Sequence, residues 1–577
     1  MIWHTDLKGD KPLQKEALLT PKKVLSEKEA DAEEEKTLMD LLRLYWQQYC
    51  EKSTIHGVRY IYDPSLRSIE RLIWSALVIT CVTLTCIAYG MLAERYSAQK
   101  LQTVVENSQY PVYQIPFPAV GVCPNNHINW GRFEAAKSTF LPANADHNVA
   151  EVFTTFVGNM ESLAFGQFHS FAEMDDVNLE LLDGIDVTNL THFMSIRCED
   201  IFVKGQCFWR RVPFNCCSMF IMEKTEHGFC FVFNSILSPE SKQLREKNGR
   251  KFYPYHNSKA GQGSGLGFQI KLNNAMKKPD SKLDDTITIL IKRPEQLSNN
   301  GYTISAGTET YVIVRPEITE SSKDIRPLKQ EQRNCFFEDE NSLKNYQVAP
   351  NVDKELILNN CVNVCHEEHL RKYCNCTLPQ FFLSTDPTVE TCRASQFRCL
   401  AKHNDIFGYD KRLEEDAYFS SAKPGMTCSC LIPCNIIEYY TSLTTLPFNA
   451  HKTKHNPHEQ YYKIDVHYQS EVVIKYRTSL EFTSIDLIAN FGGVFGLCLG
   501  ASMVSAVELF YYLTVGLALY LYDNNYYGIL KQHIRDLRMK WISGIKETLN
   551  EEYGNGTSLK RKTTFVPKRP QQKSNKW

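Results

Sequence analysis

Two long apolar runs, one near each end of the 577-residue chain, constrain what this sequence can fold into more than any other feature. The first run lies between Arg71 and Glu94 and holds 22 residues without a charge. A helix needs about 20 apolar residues to cross a bilayer. The run therefore predicts a transmembrane helix over 71–93, and it lies too far from the amino terminus to be a secretory signal peptide.

The second apolar run, 487–522, is too long for one ordinary span. It holds 36 residues and one charge, Glu508. A straight helix of that length measures about 54 Å, whereas the hydrocarbon core is about 30 Å thick. Glycine in a helix interior costs about 1 kcal/mol relative to alanine. We therefore expect this helix to break among its small residues, which are Gly492, Gly493, Gly496, Gly500, Ala501 and Ser502.

Cysteine usage orients the chain across the membrane. Of the 20 cysteines, 16 lie between the two runs, from Cys123 to Cys434. Such a density is typical of an oxidising compartment. We therefore expect 94–486 to be an extracellular, disulfide-rich domain, and 1–70 and 523–577 to be cytosolic. Basic residues flank both runs on the cytosolic side, as the positive-inside rule requires.

The domain between the spans reads as mixed α/β, so the fold class is an α+β membrane protein with two transmembrane helices. The stretch "YTISAGTETYVIVRP" (302–316) alternates around an Ala-Gly turn and predicts a β-hairpin. "EYYTSLTTLPF" and "YYKIDVHY" also read as strands. On the cytosolic side, "TLMDLLRLYWQQYCEKS" (37–53) predicts an amphipathic helix. Asn189 and Asn375 lie in glycosylation sequons on the extracellular side.

Several ligand classes are disfavoured. The net charge of -1 gives no nucleic-acid signature. "GQGSGLGF" (261–268) imitates a phosphate loop but lacks the strand–turn–helix context that a nucleotide site needs. Four histidines, His451, His455, His458 and His467, lie in a polar stretch that we interpret as a solvated loop rather than a metal or proton site. No metal, cofactor or catalytic motif is predicted.

Ten cysteines from Cys335 onward follow a specific spacing. Cys361 and Cys365 lie on one face of a helix, since they are four residues apart. Cys428 and Cys430 are expected on one face of a strand. Two such faces can be joined by two neighbouring bridges, although spacing alone does not fix the connectivity. A zinc cluster is the disfavoured alternative, because the compartment is oxidising and histidines are not suitably spaced.

Four landmarks together resemble the degenerin, epithelial sodium channel and acid-sensing channel family, and insect pickpocket members in particular. They are the His-Gly pair of "STIHG" (His56 and Gly57), "FPAVGVCPNN" (117–126), the cysteine spacing that ends in "CSCLIPC" (428–434), and the pore-like string "GGVFGLCLGASMVSAVELF". The resemblance runs from about residue 50 to 525.

The resemblance implies a disulfide pattern. Its nested pairs are Cys335–Cys434, Cys361–Cys430, Cys365–Cys428, Cys374–Cys399 and Cys376–Cys392, with Cys123–Cys230 in addition. It leaves Cys198, Cys207, Cys216 and Cys217 unassigned.

The resemblance also implies a trimer with one pore-lining span from each subunit. It implies that Gly500, Ala501 and Ser502 form an extended selectivity filter and that Gly496 admits amiloride. It places a gate at Ala489, Gly492 and Gly493, and His56 and Gly57 in a re-entrant gating loop below the pore. Glu508 would line the vestibule, with a structural hydrogen bond as the competing role.

The function implied is a sodium-selective, amiloride-sensitive cation channel of the plasma membrane, not an enzyme. Its partners would be sodium ions, the lipid bilayer, and related subunits in a homo- or hetero-trimer. The alternatives are an ATP-gated trimeric channel, or a two-span scavenger or adhesion receptor without a pore. The sequence leaves the stimulus open among protons, peptides, lipophilic ligands, force and constitutive opening.

Overall fold

A computed structural model of the chain describes most of the sequence between Leu38 and Asp523 and two short stretches beyond. The described residues are 38–174, 176–249, 253–297, 301–340, 359–382, 389–412, 418–419, 423–448, 459–523, 534–535 and 538–543. The chain divides into two compact units. One comprises Met1–Ala98 with Ser484–Trp577, and the other comprises Gln99–Thr483.

Helices and strands alternate irregularly along the described residues. The helices are α1 Leu38–Lys52, α2 Val58–Tyr62, α3 Ser68–Ser97, α4 Phe133–Phe140, α5 His147–Asn159, α6 Val187–Met194, α7 Cys198–Ile201, α8 Cys216–Met219, α9 Pro239–Asn248, α10 Gln330–Arg333, α11 Cys361–Cys374, α12 Phe397–Lys402, α13 Asn404–Phe407, α14 Ser484–Leu499, α15 Met503–Tyr511 and α16 Leu517–Asp523. A π-helical turn, Tyr512–Gly516, joins α15 to α16.

The strands belong almost entirely to the second unit's sheets. They are β1 Leu101–Pro111, β2 Ala119–Pro124, β3 Phe202–Trp209, β4 Val212–Phe214, β5 Phe220–Thr225, β6 Gly228–Phe233, β7 Leu266–Asn273, β8 Thr286–Lys292, β9 Tyr302–Ser305, β10 Thr308–Ser321, β11 Cys335–Phe336, β12 Asp410–Lys411, β13 Met426–Thr427, β14 Ile432–Pro433, β15 Ile436–Pro447, β16 Glu459–Tyr468 and β17 Val472–Leu480.

Both apolar runs are helical and extend slightly beyond their predicted bounds. The helix of the first apolar run, α3, begins three residues before the predicted span and ends four residues after it. Among the described residues, two helices are long and apolar enough to cross a membrane, Ser68–Ser97 and Met503–Asp523. The amphipathic segment that precedes the first span forms α1, as its pattern predicts.

The second apolar run is interrupted where its small residues gather. The helix α14 ends at Leu499, three residues of non-helical backbone follow, and α15 begins at Met503. Gly500 has a φ of +58°, a left-handed conformation that ends a right-handed helix. The break therefore falls at Gly500–Ser502, so the run is two helical pieces rather than one rod.

Two sheets form the framework of the second unit. The larger has eight strands in the order β1-β17-β10-β16-β7-β3-β4, with β15 paired to β10, and the smaller has five in the order β5-β6-β2-β8-β9. The strand β10 is central: it runs antiparallel to β15 and parallel to β16 and then β17. The strand that follows α3 (β1) pairs with the strand that precedes α14 (β17), Leu101 opposite Leu480.

Two hydrophobic cores hold this unit together. One lies between the sheets and includes Phe231 and Ile289 from the smaller sheet and Phe268 and Val312 from the larger. The other is built mainly from helices and includes Phe156 of α5 and buried residues of α11 and α12. Burying an aromatic or branched side chain contributes roughly 1.5–3 kcal/mol, so these clusters stabilise the unit together with its disulfides.

The predicted hairpin over 302–316 is wrong, although its strands and its turn are present. The strand β9 pairs with β8 in the five-stranded sheet, whereas β10 belongs to the eight-stranded sheet. The turn at Ala306–Gly307, where Gly307 has a φ of +71°, therefore carries the chain from one sheet to the other. Alternation in the sequence reports strands with one buried face; it does not say which strand is the partner.

Eight disulfides lie in the second unit. The six pairs implied by the resemblance are all present. The four cysteines left unassigned pair as Cys198–Cys217 and Cys207–Cys216. The first of these pairs joins the helices α7 and α8, and the second joins α8 to β3.

The expected strand at Cys428 and Cys430 is not formed. These cysteines lie in an irregular segment between β13 and β14. Both nevertheless reach the helix α11, where Cys361 and Cys365 are one turn apart. The bridges themselves fix the segment, so a regular strand is not needed to hold the two sulfurs in place.

Candidate functional site

The break in the second apolar helix lies against the segment that carries the His-Gly pair. The His56 backbone N–H donates to the Leu499 carbonyl over 2.9 Å. The last carbonyls of a helix have no partner within it, so His56 satisfies one that the break leaves open. The His-Gly segment, which precedes the first apolar run, thus meets the break inside the second.

Gly500 is required at the break for two independent reasons. Its φ of +58° is a conformation that side chains other than glycine and asparagine rarely adopt. A Cβ at this position would also lie 1.9 Å from Nδ1 of His56. The imidazole therefore occupies the space that any other residue at position 500 would fill.

Gly57 gives the His-Gly segment its turn. Its φ is +84°, and a Cβ there would lie 2.8 Å from Cγ2 of Val78 on α3. The next helix, α2, follows directly and rests on α3, where the Tyr60 ring stacks on Trp74 with centroids 4.6 Å apart. The glycine thus lets the segment turn sharply and pack closely against the first apolar helix.

Ser502 caps the helix that follows the break. Its side chain accepts a hydrogen bond from the Ser505 backbone N–H, and Ser505 Oγ accepts one from the Ser502 N–H over 3.2 Å. This reciprocal pattern satisfies two donors at the helix N-terminus. Ala501, between Gly500 and Ser502, donates to the Phe495 carbonyl over 3.4 Å.

The hydroxyl of Thr54 contacts the carboxylate of Glu508, which lies on the helix that follows the break. Thr54 Oγ1 lies 2.6 Å from Glu508 Oε2 and 2.9 Å from Ser505 Oγ. Since a hydroxyl has one proton, the shorter contact to the carboxylate is the one in which Thr54 donates, and Thr54 then accepts from Ser505. Glu508 thus has the hydrogen bond that was the competing interpretation of its role, while remaining half-exposed.

Small residues share one face of α14. Ala489, Gly492, Gly493 and Gly496 recur at positions i, i+3, i+4 and i+7, which lie on the same side of a helix. All four are exposed, and a Cβ built on any of the three glycines meets no atom within 4 Å. Within one chain this face therefore packs against nothing among the described residues.

Two of the residues that build this site were not singled out from the sequence: Thr54 and Ser505. Thr54 lies two residues before His56, and its partners come from the opposite end of the chain. Ser505 follows Ser502 by three residues, and that spacing was the available signal, since serines three apart fit a capping pattern.

The phosphate-loop imitation in the second unit is not a nucleotide site. The Gly263 backbone N–H donates to Asp465 Oδ2 over 2.8 Å, and the segment runs into the strand β7 rather than into a helix. Of the histidine group, His467 is buried and its Nδ1 lies 2.5 Å from Asp465 Oδ1. The other three histidines lie outside the described residues.

The remaining candidate residues of the second unit are exposed or lie beside disulfides. Asn189 and Asn375 both have exposed side chains, which a glycan requires. His369 lies beside Cys365 and Cys428, and His403 beside Cys374 and Cys399, in groups compact enough for a metal. Because both cysteine pairs are disulfides, their sulfurs are not thiolate ligands.

These features define a class of protein: a two-span membrane subunit with a large disulfide-rich α/β domain between its apolar helices and a broken second helix. A family model described as "Amiloride-sensitive sodium channel" matches residues 49–512. The chain is 34% identical over 463 residues to Pickpocket protein 19 of Drosophila melanogaster, covering 80% of this chain and 88% of that protein.

Two relatives of lower sequence identity are also named as ion channels. The chain is 23% identical over 500 residues to the sodium channel protein Nach of Drosophila melanogaster, covering 82% of this chain and 88% of Nach. It is 22% identical over 496 residues to acid-sensing ion channel 1A of Danio rerio, covering 81% and 87%.

The chain belongs to the amiloride-sensitive sodium channel family, which includes the degenerins, pickpockets and acid-sensing channels. Members are trimeric plasma-membrane ion channels and not enzymes. The chain is therefore a cation-channel subunit. This assignment replaces both alternatives drawn from the sequence, the ATP-gated channel and the receptor without a pore.

Proposed function

We propose that this subunit forms a sodium-selective, amiloride-sensitive pore in which three copies of the second span surround the conduction axis. Support comes first from the exposed small-residue face of α14. Helices approach one another most closely through glycine and alanine. Three such faces turned towards one axis explain why Ala489, Gly492, Gly493 and Gly496 are all exposed among the described residues of one chain.

The filter in this proposal is the extended backbone at Gly500, Ala501 and Ser502. Non-helical backbone at membrane depth is tolerated where it is buried in protein or lines water. Carbonyl groups of such a segment can replace the hydration shell of an ion. The contact of the His-Gly segment with Leu499 and Gly500 is the single observation that carries the proposal, because it gives the break a fixed and specifically supported shape.

The neighbouring residues take roles that follow from their positions. Gly496 lies one helical turn outside the break and provides open space for amiloride. Ala489, Gly492 and Gly493 lie further out and form the gate. Glu508 lies on the inner side of the break, where three copies attract cations into the vestibule. The hydrogen bond from Thr54 orients that carboxylate.

The proposed topology has both termini in the cytosol and 94–486 outside the cell. All eight disulfides lie within Gln99–Thr483, whereas the four free cysteines, Cys50, Cys81, Cys86 and Cys498, lie outside that unit. Such a division fits an oxidising exterior and a reducing interior. The trimer would contain three copies of this chain or copies together with related subunits.

Ser502→Thr tests the filter. Threonine retains the hydroxyl that caps α15 but adds a methyl group where the belt is narrow. The expected result is a changed ratio of sodium to potassium permeability, measured from reversal potentials. Ser484→Thr makes the same chemical change at the exposed start of α14 and should leave the ratio unaltered. Equal permeability ratios for the parent and Ser502→Thr would show that the segment Gly500–Ser502 is not the selectivity filter.

The blocker site has a separate test. Because a side chain at position 496 meets open space within one chain, Gly496→Cys is compatible with folding and adds bulk only where amiloride is proposed to bind. We expect weaker block by amiloride with sodium currents retained. If Gly496→Cys is blocked by the same amiloride concentration as the parent, amiloride binds at some other site.

A further inference from the structure

The second span contains a π-helical turn, Tyr512–Gly516, between α15 and α16. A π turn holds one more residue than an α-helical turn and is frequently found at functional sites. It also leaves carbonyl groups poorly partnered within the helix, which other groups must satisfy. Thr514 Oγ1 donates to one carbonyl just before the turn, that of Phe510, over 2.7 Å.

A tyrosine from the cytosolic helix α1 serves another. Tyr45 Oη donates to the Tyr512 carbonyl over 2.6 Å. Only 4% of Tyr45 is exposed, and its ring packs against those of Tyr512 and Tyr520, with centroids 6.3 and 4.9 Å apart. The Tyr45 ring is thus held by one ring at the start of the π turn and by another beyond its end.

Gly516 makes room for this contact. A Cβ at position 516 would lie 2.6 Å from Tyr45 Oη, closer than a carbon and an oxygen can approach. Glycine is unfavourable in a helix, so its presence at the end of the π turn is explained by the approach of the phenol. Tyr45 and Gly516 therefore fit each other only while the π turn is present.

We propose that Tyr45 is a positioning residue for the pore: it holds the π turn and thereby sets the rotation of α16 relative to α15. The inference rests on the proposed function in that the second span lines the conduction path. Loss of the extra residue from the turn would rotate every later residue by about 100° around the helix axis. The cytosolic helix would then govern which side chains face the inner end of the pore.

The direction of this rotation predicts which residue of α16 becomes buried when the π turn is lost. In the present register Leu521 is buried, with 5% of its surface exposed. After conversion of the turn to α-helix, the residue before it, Tyr520, takes that orientation. Removing one neutral hydrogen bond shifts such an equilibrium by roughly 2- to 13-fold, the equivalent of about 0.5–1.5 kcal/mol.

The test uses the full-length chain with its four free cysteines changed to serine, purified in detergent, and a single reporter cysteine labelled by a water-soluble maleimide. In Tyr45→Phe, the labelling rate of Leu521→Cys should rise by roughly 2- to 13-fold, and that of Tyr520→Cys should fall. Leu499→Cys, which is buried ahead of the turn, should keep its rate. Equal increases at 499 and 521 would indicate general loosening and overturn the inference, as would no change at either.

Two further variants sharpen the test. Tyr49→Phe is the matched control, because the Tyr49 ring packs on Tyr512 at 5.1 Å, whereas the hydrogen bond to the Tyr512 carbonyl comes from Tyr45. It should leave the labelling pattern unchanged. Gly516→Ala should shift labelling in the parent and shift it less on top of Tyr45→Phe, because the overlapping oxygen is then absent. Strictly additive effects would contradict the inference.

Currents separate this inference from the proposed function. Tyr45→Phe should change the open probability of the channel by a factor similar to the labelling change, and Tyr49→Phe should not. If labelling shifts while open probability stays constant, Tyr45 holds the turn but does not position the pore, and the inference fails with the proposed function intact. If the parent carries no cation current, the proposed function fails, whereas the labelling result stands.

Discussion

His56 Nδ1 occupies the position that a side chain on Gly500 would take, 1.9 Å from where its Cβ would lie. The same histidine bonds through its backbone to Leu499. One residue from the segment before the first span therefore both requires a glycine at the break and satisfies the helix end beside it. The His-Gly pair and the Gly-Ala-Ser string are one structural unit.

Gly500→Ala should damage this unit, and His56→Ala should partly rescue it. The single change meets the imidazole and adds roughly 1–2 kcal/mol for a left-handed residue with a Cβ. The double change removes the imidazole and leaves only the second cost. We expect the thermal midpoint of the full-length protein to fall most in Gly500→Ala and to recover in part in the double variant. Equal midpoints for the two would show that the overlap is relieved in some other way.

Thr54→Val should destabilise the inner side of the break, because the Glu508 carboxylate loses its hydroxyl donor while the shape of residue 54 is preserved. An unsatisfied polar group costs about 1–3 kcal/mol when buried, and less for a half-exposed one such as Glu508. Thr54→Ser keeps the hydroxyl and is the matched control.

The check is a double-mutant cycle on thermal unfolding with Glu508→Gln. Glutamine retains an acceptor but removes the charge, so the loss from Thr54→Val should be smaller in that background. Independent, additive losses would show that Thr54 and Glu508 do not share an interaction.

Ala489→Val should open the channel without its stimulus. Overpacking costs typically 1–3 kcal/mol per site, and a trimer carries three copies close to its axis. A change of about 5.5 kcal/mol moves a two-state equilibrium from 1:99 to 99:1. The measurement is resting sodium current at matched surface expression. Ala506→Val, an exposed alanine on α15, is the control. A stimulated current without a raised resting current would mean that Ala489 does not line the closed gate.

Stability of the unit Gln99–Thr483 should fall at alkaline pH because of His366. Its two ring nitrogens lie 2.9 Å from Glu226 Oε1 and 2.6 Å from Asp410 Oδ1, so both must carry a proton to donate. Burial alone would lower the pKa of His366, but the two carboxylates outweigh it and raise the pKa to about 9 from the ordinary 6.5. Stability from the protonated ring is therefore complete below pH 6.5 and lost as pH rises through about 9.

Thermal unfolding of the full chain across this pH range measures the effect. The midpoint of the parent should fall as pH rises from 6.5 to about 9. His366→Gln should have a lower unfolding midpoint than the parent at pH 6.5, since removing one partner of a buried ion pair costs about 3–5 kcal/mol. Its midpoint should also vary less with pH. A parent whose midpoint is constant over the range would contradict a His366 ring that is protonated on both nitrogens.

Features set by local sequence could be predicted, and those set by distant contacts could not. Hydropathy located the helices of both apolar runs to within a few residues, and clustered glycines located the break. By contrast, the strand pairing of β9 depends on β8 rather than on its neighbour β10, so the alternating pattern gave a wrong hairpin. The irregular backbone at Cys428 and Cys430 is held by bridges to α11, which a strand pattern does not register.

The site shows the same division. His56, Gly500 and Ser502 were identified through the resemblance to channel family motifs. Thr54 and Tyr45 were not, since their partners Glu508 and Tyr512 lie at the other end of the chain and no short motif links them. Only the folded structure brings a hydroxyl to a carboxylate, or a phenol to the carbonyl of a π turn.

Reversal potentials of the parent trimer test the central claim most directly. Current through the expressed chain, alone and with related subunits, is recorded while external sodium is replaced by potassium and then by a large impermeant cation. A sodium-selective pore should give a reversal potential that follows the sodium gradient, a shift to more negative voltage in potassium, and block by amiloride. A reversal potential that is the same in sodium and potassium would contradict a sodium-selective belt at Gly500–Ser502.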